Sequence, residues 1–386
     1  MLASLLSGLG WWGFWFSGPA GQCTVKAISQ RITALTLSAG VAVFCACRGT
    51  RQVGSAPTQP QGALSAARVE PRIYVSNEES TEIAVIDAST DSLVTRIFVG
   101  KRPRGIRVSP DGKSLFVALS GSPIAPPGTD ESKLPPPDRA ADGIAVVDLA
   151  AQKLQRTLFT GEDPESFDIS PDGRTLYVSN EDAGTATIVS LATGDLLAVV
   201  PVGQEPEGVR IRPDGQVVYV TSEADNQVAA IDTRTKQVVA RIETGPRPRG
   251  IAFTSDGRRA YVTAEQGGTV AVIDAQKHQL ISEIKIDFPG AKPMGVALSP
   301  RGDTAYVTCG RGRAIAVIDV ATNQVRKIFP EVGARPWGIG ISADGRKLYT
   351  ANGPSNDVSV VDSESGAVLT RIPSGKGPWG IAVGHE

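Results

Sequence analysis

The chain has 386 residues, with 42 glycines, 27 prolines and only 5% aromatic residues. A formal net charge of -1 provides no global field that would draw it to nucleic acid or an anionic membrane. Two histidines and four cysteines, three of them before residue 48, exclude a disulfide framework, a Cys/His zinc cluster and a Cys-x-x-Cys-His haem site. No metal and no cofactor is therefore expected.

Residues 1–47 read as an export segment. Lys26 and Arg31 precede an apolar run from Ile32 to Ala46 that carries no charge until Arg48. Such a run is short for a bilayer span but right for the core of a secretory signal. It ends Phe44-Cys45-Ala46-Cys47, a loose match to a bacterial lipoprotein cleavage site in which Cys47 would carry the lipid. An ordinary signal peptide cleaved nearby is the alternative. The stretch Met1 to Thr24, with Trp11, Trp12 and Trp15, fits no signal region. It implies either translation starting near Val25 or a separate N-terminal membrane segment. Residues 48–70, rich in Gly, Pro, Gln, Ser and Ala, read as a flexible linker. The expected location is periplasmic or outer-membrane-anchored, with the membrane touched only through the N-terminus.

From residue 71 to 386 one unit repeats. Its clearest copy begins at Pro206-Glu207-Gly208 and passes through an apolar run, Val209 to Ile211, to an Asp214-Gly215 turn. A β-branched run through Tyr219 to Thr221 follows, then the apolar run Val228 to Ile231 and a last run, Gln237 to Ile242. Four strand-like runs joined by turns and repeated end to end predict a propeller. The aromatic landmark recurs at Tyr74, Phe116, Tyr177, Tyr219, Tyr261, Tyr306 and Tyr349. The Pro-x-Gly landmark recurs at Gly105, Gly208, Gly250, Gly295, Gly338 and Gly380, with Ser166 standing in once. Setting aside an insertion of about 20 residues (123–142) leaves about 42 per copy, a four-stranded blade.

The fold class expected is all-β: a seven-bladed β-propeller of four-stranded antiparallel blades. The first copy begins at its second strand, Arg72 to Ser76, and the last Pro-x-Gly is followed only by Ile381-Ala382-Val383. The C-terminal strand should therefore complete the first blade and close the ring, leaving no open edge between first and last blades. Apolar third strands such as Val270 to Ile273 should pack on both faces, and the Asp-Gly pairs should supply positive φ in the first hairpins.

The runs Tyr74-Val-Ser-Asn77 and Tyr177-Val-Ser-Asn180, with the recurring IDxxT and SPDG patterns, resemble the YVTN β-propeller repeat family over residues 71–386. The Pro-rich insertion, PRPRGIAFT and KPMGVALSP are similar to the subgroup associated with PQQ-dependent alcohol catabolism. That resemblance implies an exported protein working beside a quinoprotein dehydrogenase, its cytochrome or a transporter component.

In a propeller the loops entering the inner strand and those between second and third strands open on one face. The residue inside each Pro-x-Gly should therefore ring the channel mouth: Arg104, Glu165, Glu207, Arg249, Met294, Trp337 and Trp379. The residue four after each landmark should lie beside that ring: Glu78, Ser120, Glu181, Glu223, Glu265, Gly310 and Gly353. One sector then carries carboxylates and guanidiniums and the other carries aromatics, as a small-molecule or peptide site does. Alternatively, the Glu and Arg pair with each other and hold neighbouring blades, or the carboxylates hold calcium. The insertion falls on the same face, either as a surface loop or as a lid. Cys309 is either a buried filler or a thiol at the mouth.

His278 falls in a turn on the opposite face and His385 next to the last residue, so no His-based triad, His-ligated zinc or haem is expected. This weighs against a nitrite reductase-type propeller, which the repeats resemble distantly. Three functions follow. The first is a monomeric, non-catalytic exported propeller that binds a partner protein or small ligand. The second is an enzyme of lactonase type using Glu and Arg at the mouth, although no nucleophile stands out. The third, a nucleic-acid binder, is opposed by the many Glu at the mouth.

Overall fold

The computed structural model describes residues 71–124 and 133–384. The export segment, the linker, Cys47 and His385 lie outside the described residues. Among the described residues, twenty-eight strands form seven four-stranded antiparallel sheets, each made of consecutive strands except one. That one is the first blade, where Pro378–Val383 pairs with Arg72–Asn77, which is followed by Glu82–Asp87 and Ser92–Phe98. The pairing sets Ile73 opposite Val383, Tyr74 opposite Ala382 and Val75 opposite Ile381. The ring closes as the phase of the repeat demands.

Each strand's composition matches its radial position. Third strands are buried along their length: in Thr269–Asp274, Val270, Ala271, Val272 and Ile273 are all inaccessible to solvent. Outermost strands alternate, as in Ser92–Phe98, because only one of their faces meets a neighbouring blade. The apolar core is divided into seven clusters, each drawn from two adjacent blades; one joins Tyr219, Val228 and Ile242 to Ile251, Val262 and Ile273. Blade-to-blade burial, the main hydrophobic contribution, therefore requires the whole ring. The expected positive φ in the first hairpins is present at Gly215 (73°) and also at Gly302 (71°), where Arg301 replaces Asp.

Inner strands differ from the expectation in where they begin. They start at the proline, as in Pro206–Ile211 and Pro248–Phe253, and a register shift follows within each Pro-x-Gly. The irregularity recurs in all seven blades. Six of the seven blades place glycine there, where inner strands crowd together: a Cβ on Gly208 would lie 2.0 Å from the Arg249 carbonyl oxygen, and one on Gly338 would lie 2.4 Å from that of Trp379.

The Ser or Thr two residues after the aromatic landmark bridges the same crowding. Thr263 Oγ1 accepts the Gly250 N–H at 2.8 Å and donates to the Met294 carbonyl of the next blade at 2.6 Å. Thr308 does the same between Gly295 and Trp337, and Ser76 between Gly380 and Arg104. The Tyr-Val-Ser/Thr motif thus serves two jobs, core filling by Tyr and Val and blade-to-blade hydrogen bonding by the hydroxyl.

Candidate functional site

The register shift in each inner strand turns the residue between proline and glycine toward the channel mouth. Second strands end on the same face. Arg104, Glu165, Glu207, Arg249, Met294, Trp337 and Trp379 accordingly come together there, with Glu181, Glu223 and Glu265 beside them.

The charged sector is occupied with itself. Arg104 is wholly buried and bonds the carboxylates of Glu165 and Asp163, the latter at 2.5 Å, with Glu181 at 3.4 Å. Arg249 bonds Glu207 and lies 2.6 Å from Glu223 and 2.9 Å from Glu265. A guanidinium thus holds the centre that a cation would need. Each arginine ties two blades together, because Arg104 reaches from the second blade to the third and Arg249 from the fifth to the fourth. Glu78 lies outside these two clusters and pairs with Arg102 at 2.9 Å.

Protonation follows the geometry. Burial opposes the charges on Arg104 and Arg249, but Glu165 and Asp163 around the first, and Glu207 and Glu265 around the second, outweigh it and raise both pKa values. Glu165 is driven well above the ordinary carboxylate range by burial; Arg104 opposes this, and Glu181 and Glu207 add to the rise. Its Oε2 is buried without a hydrogen-bond donor, which a proton would remedy. Burial also raises Glu207, against the pull of Arg249. Asp163 goes the other way: burial works against its charge, yet Arg104 and the Ser120 hydroxyl hold it below the ordinary range.

The aromatic sector is open by comparison. Trp337 and Trp379 are half-buried, with ring centroids 5.9 Å apart and planes tilted by 33°. The guanidiniums of Arg249 and Arg335 lie over the Trp337 ring at 4.9 and 4.8 Å. Arg335 makes no ion pair among the described residues. Its pKa is pulled down by burial and by the like charges of Arg249 and Arg311, against the opposing pull of Glu265. Met294 is buried beneath the mouth.

Beneath the mouth, a cavity of about 120 Å³ runs down the axis between Ile106, Ile251, Ile339 and Ile381. It meets a second chamber of about 520 Å³ that reaches Pro110 and Pro213 in the first hairpin turns. Arg107 and Arg210 line both chambers and so mark the waist of the channel, with Asp168 between them.

The described base of the insertion is pinned at the rim. The Asp138 N–H donates to the Gly121 carbonyl at 2.9 Å, the Asp142 carboxylate accepts the Gly121 N–H at 2.6 Å, and Arg139 pairs with Asp182. Residues 125–132 lie outside the described residues, and so does any lid they would form. Cys309 is fully buried and its thiol is pushed up to about 12 by that burial, so it is filler rather than a nucleophile. His278 sits in the turn between the third and fourth strands of the fifth blade, its Nδ1 2.8 Å from the Tyr219 hydroxyl. Sequence reasoning missed Asp163 and Arg335, each of which precedes the proline of a Pro-x-Gly or Pro-x-Ser turn with φ of 54° and 51°. It also missed Arg107, Asp168 and Arg210.

Several known proteins share features with this chain. The choice-of-anchor I domain family matches residues 182–346, less than half of the chain. Antigen Lp49 of Leptospira interrogans serogroup Icterohaemorrhagiae serovar copenhageni (strain Fiocruz L1-130) is 29% identical over 137 residues, covering 28% of this chain. The chain spans 30% of the length of that relative. Among solved structures, hydrazine synthase of Kuenenia stuttgartiensis superposes with a TM-score of 0.65 at 21% identity, covering 75% of this chain and 92% of that one. A functionally unknown protein from Desulfotomaculum acetoxidans DSM 771 gives 0.68 at 16% identity, covering 81% and 99%. At such identities the likeness is one of fold, and on fold these findings agree with the geometry: the chain is a seven-bladed β-propeller protein.

Proposed function

We propose that this is an exported binding protein without catalytic chemistry of its own, whose recognition surface is the aromatic side of the channel mouth. The observation that carries the reading is the division of the mouth. Its carboxylates are engaged by Arg104 and Arg249, whereas Trp337 and Trp379 are half-exposed and Arg335 makes no ion pair among the described residues. Stacked aromatic faces beside a cationic group favour a ligand or partner that presents an anionic or aromatic group. A surface role for the chain is supported by the choice-of-anchor match and the relative that is an antigen. Its assignment to the periplasm or to a lipid-anchored form rests on the N-terminal sequence alone.

A lactonase-type reaction would need a free acid–base group, and Glu207, Glu223 and Glu265 are all held by Arg249. On the resemblance to the PQQ-associated subgroup, the partner is a quinoprotein dehydrogenase, its cytochrome or a transporter component. Affinity capture from an envelope extract with the tagged full-length protein and its Trp337→Ala/Trp379→Ala variant tests this. Recovery of such a component by the wild type alone supports the reading. Equal recovery by the variant removes the aromatic face from consideration, and recovery of nothing by either chain ends the partner-docking version.

A further inference from the structure

The fifth residue of each inner strand faces the lower chamber, and the seven positions are unequal. Four blades place Ala252, Ala297, Gly340 and Ala382 there. The other three, which are consecutive, place Arg107, Asp168 and Arg210. Two guanidiniums and one carboxylate thus face the channel across from a wall of small residues that leaves room beside them.

The carboxylate does not saturate the guanidiniums. Asp168 Oδ1 accepts the Ile169 N–H at 3.0 Å and Oδ2 accepts the Ile211 N–H at 2.9 Å. Arg107 Nε and Arg210 Nη1 stand 3.5 and 3.7 Å from those oxygens, beyond good hydrogen-bond length. Arg210 spends its Nε–H on the Ile251 carbonyl at 3.3 Å, while Arg107 Nε is buried with no acceptor at all. Both side chains remain 28% exposed, and the exposed part faces the channel. Burial, with the like charge of Arg210 added, pushes Arg107 down to about 10 against the opposing pull of Asp168. A buried donor without a partner and a net positive charge in an apolar enclosure both call for an anion.

We infer that the channel waist is a binding site for a small aliphatic monocarboxylate, its carboxylate bridging Arg107 and Arg210 and its chain lying along Ile106, Ile251, Ile339 and Ile381. One negative charge balances the waist, whereas a doubly charged phosphate would overshoot it. Planar carboxylates also match the guanidinium fork. The four isoleucines above the waist carry no donor, and the Arg249 guanidinium that lines the same cavity is held by Glu207, Glu223 and Glu265, so no free cation awaits a second charged end. The carboxylate end of this site sits at the waist, below the aromatic face that lines the upper end of the same cavity, and neither reading depends on the other.

Calorimetric titration of the full-length protein with sodium butyrate in chloride-free buffer, with sodium phosphate in parallel, tests the inference. The expected result is saturable butyrate binding at one site per chain. Arg107→Gln or Arg210→Gln should weaken it by about tenfold or more, as loss of a charge-assisted bidentate partner does. Arg301→Gln, at an exposed arginine that lines neither chamber, should leave it unchanged. Asp168→Asn, which removes the competing charge, should tighten it, a change of opposite sign that misfolding cannot imitate. Absence of saturable butyrate binding to the wild type overturns the proposal. So does affinity that survives both arginine substitutions, or a site that takes phosphate in preference to butyrate.

Discussion

Arg104 and Arg249 at the mouth, and Arg107 and Arg210 at the waist, project from the inner strands of the second, fourth and fifth blades, yet their surroundings are opposite. Each mouth arginine is met by three carboxylates, all from the neighbouring third blade for Arg104, and two from the neighbouring fourth blade plus Glu265 of its own blade for Arg249. The two waist arginines share one, and its oxygens are already bonded to backbone N–H groups. The same side chain is thus structural glue in one layer and an available donor in the next. The roles differ in burial, with the mouth side chains at 0% and 8% exposure and the waist side chains at 28%, and in the ratio of acceptors to guanidiniums, since a buried charge is tolerated only where partners are supplied.

The comparison breaks most visibly if a mouth arginine is removed. Arg104→Met leaves Asp163 and Glu165 buried without a counter-charge and should cost about 3–5 kcal/mol, the usual consequence of breaking a buried pair from one side. Urea unfolding with an unchanged slope is the measurement. A loss below about 1 kcal/mol, within the range of a surface pair, would mean that the mouth arginines are not structural. Arg249→Met should follow at about 2–4 kcal/mol, slightly less because its place can be filled in part by Arg247, which already lies 2.5 Å from Glu223 and 3.6 Å from Glu265. It also removes a cation from the Trp337 face, so a change in tryptophan emission should accompany the loss of stability.

Much of this was legible in the amino-acid sequence because the chain repeats itself seven times. A Pro-x-Gly that recurs in phase with a tyrosine announces where each inner strand enters, and so which side chains reach the mouth. Pairing was not legible: alternating Glu and Arg are compatible with an open binding site and with a self-satisfied network, and only the distances decide. Asp163 and Arg335 escaped because a residue before proline is expected to be extended, whereas both are left-handed here. The waist escaped for a different reason. Consensus reading attends to what recurs, and Arg107, Asp168 and Arg210 are departures from the small residues of Ala252, Ala297, Gly340 and Ala382 at the same register. The signal was present as an exception to the repeat.

A subtler test within the mouth uses acid. Glu165 has a folded-state pKa above its ordinary value, so the folded chain binds its proton more tightly than the unfolded chain. Its contribution is most favourable below the ordinary carboxylate value and declines as pH rises through the raised one. Asp163, held low, contributes the reverse: stability present above the ordinary value and lost as pH falls through the lowered one. Glu165→Gln keeps an acceptor oxygen for Arg104 but removes the like charge facing Glu181 and Glu207. It should therefore abolish the decline toward neutral pH and raise stability there. Melting temperatures of both chains, followed from acid to neutral pH, check the sign. A parallel pair of curves would show that the proton is not held at Glu165.

The smallest expected effect lies at the waist, and it bears most directly on the distinction between the two layers. Arg107→Gln removes a charge that repels Arg210, gives up an ion pair with no hydrogen bond in it, and eliminates a buried Nε–H that has no acceptor. The losses and gains are of similar size, so unfolding free energy should change by no more than about 0.5 kcal/mol, as for a substitution outside any network. Removing one guanidinium also leaves Asp168 its partner in Arg210, so no carboxylate is stranded, unlike the case of Arg104. A loss above about 2 kcal/mol would be the signature of a broken buried network. It would place Arg107 with the mouth arginines and make the acceptor count a poor guide to which arginines are free to bind.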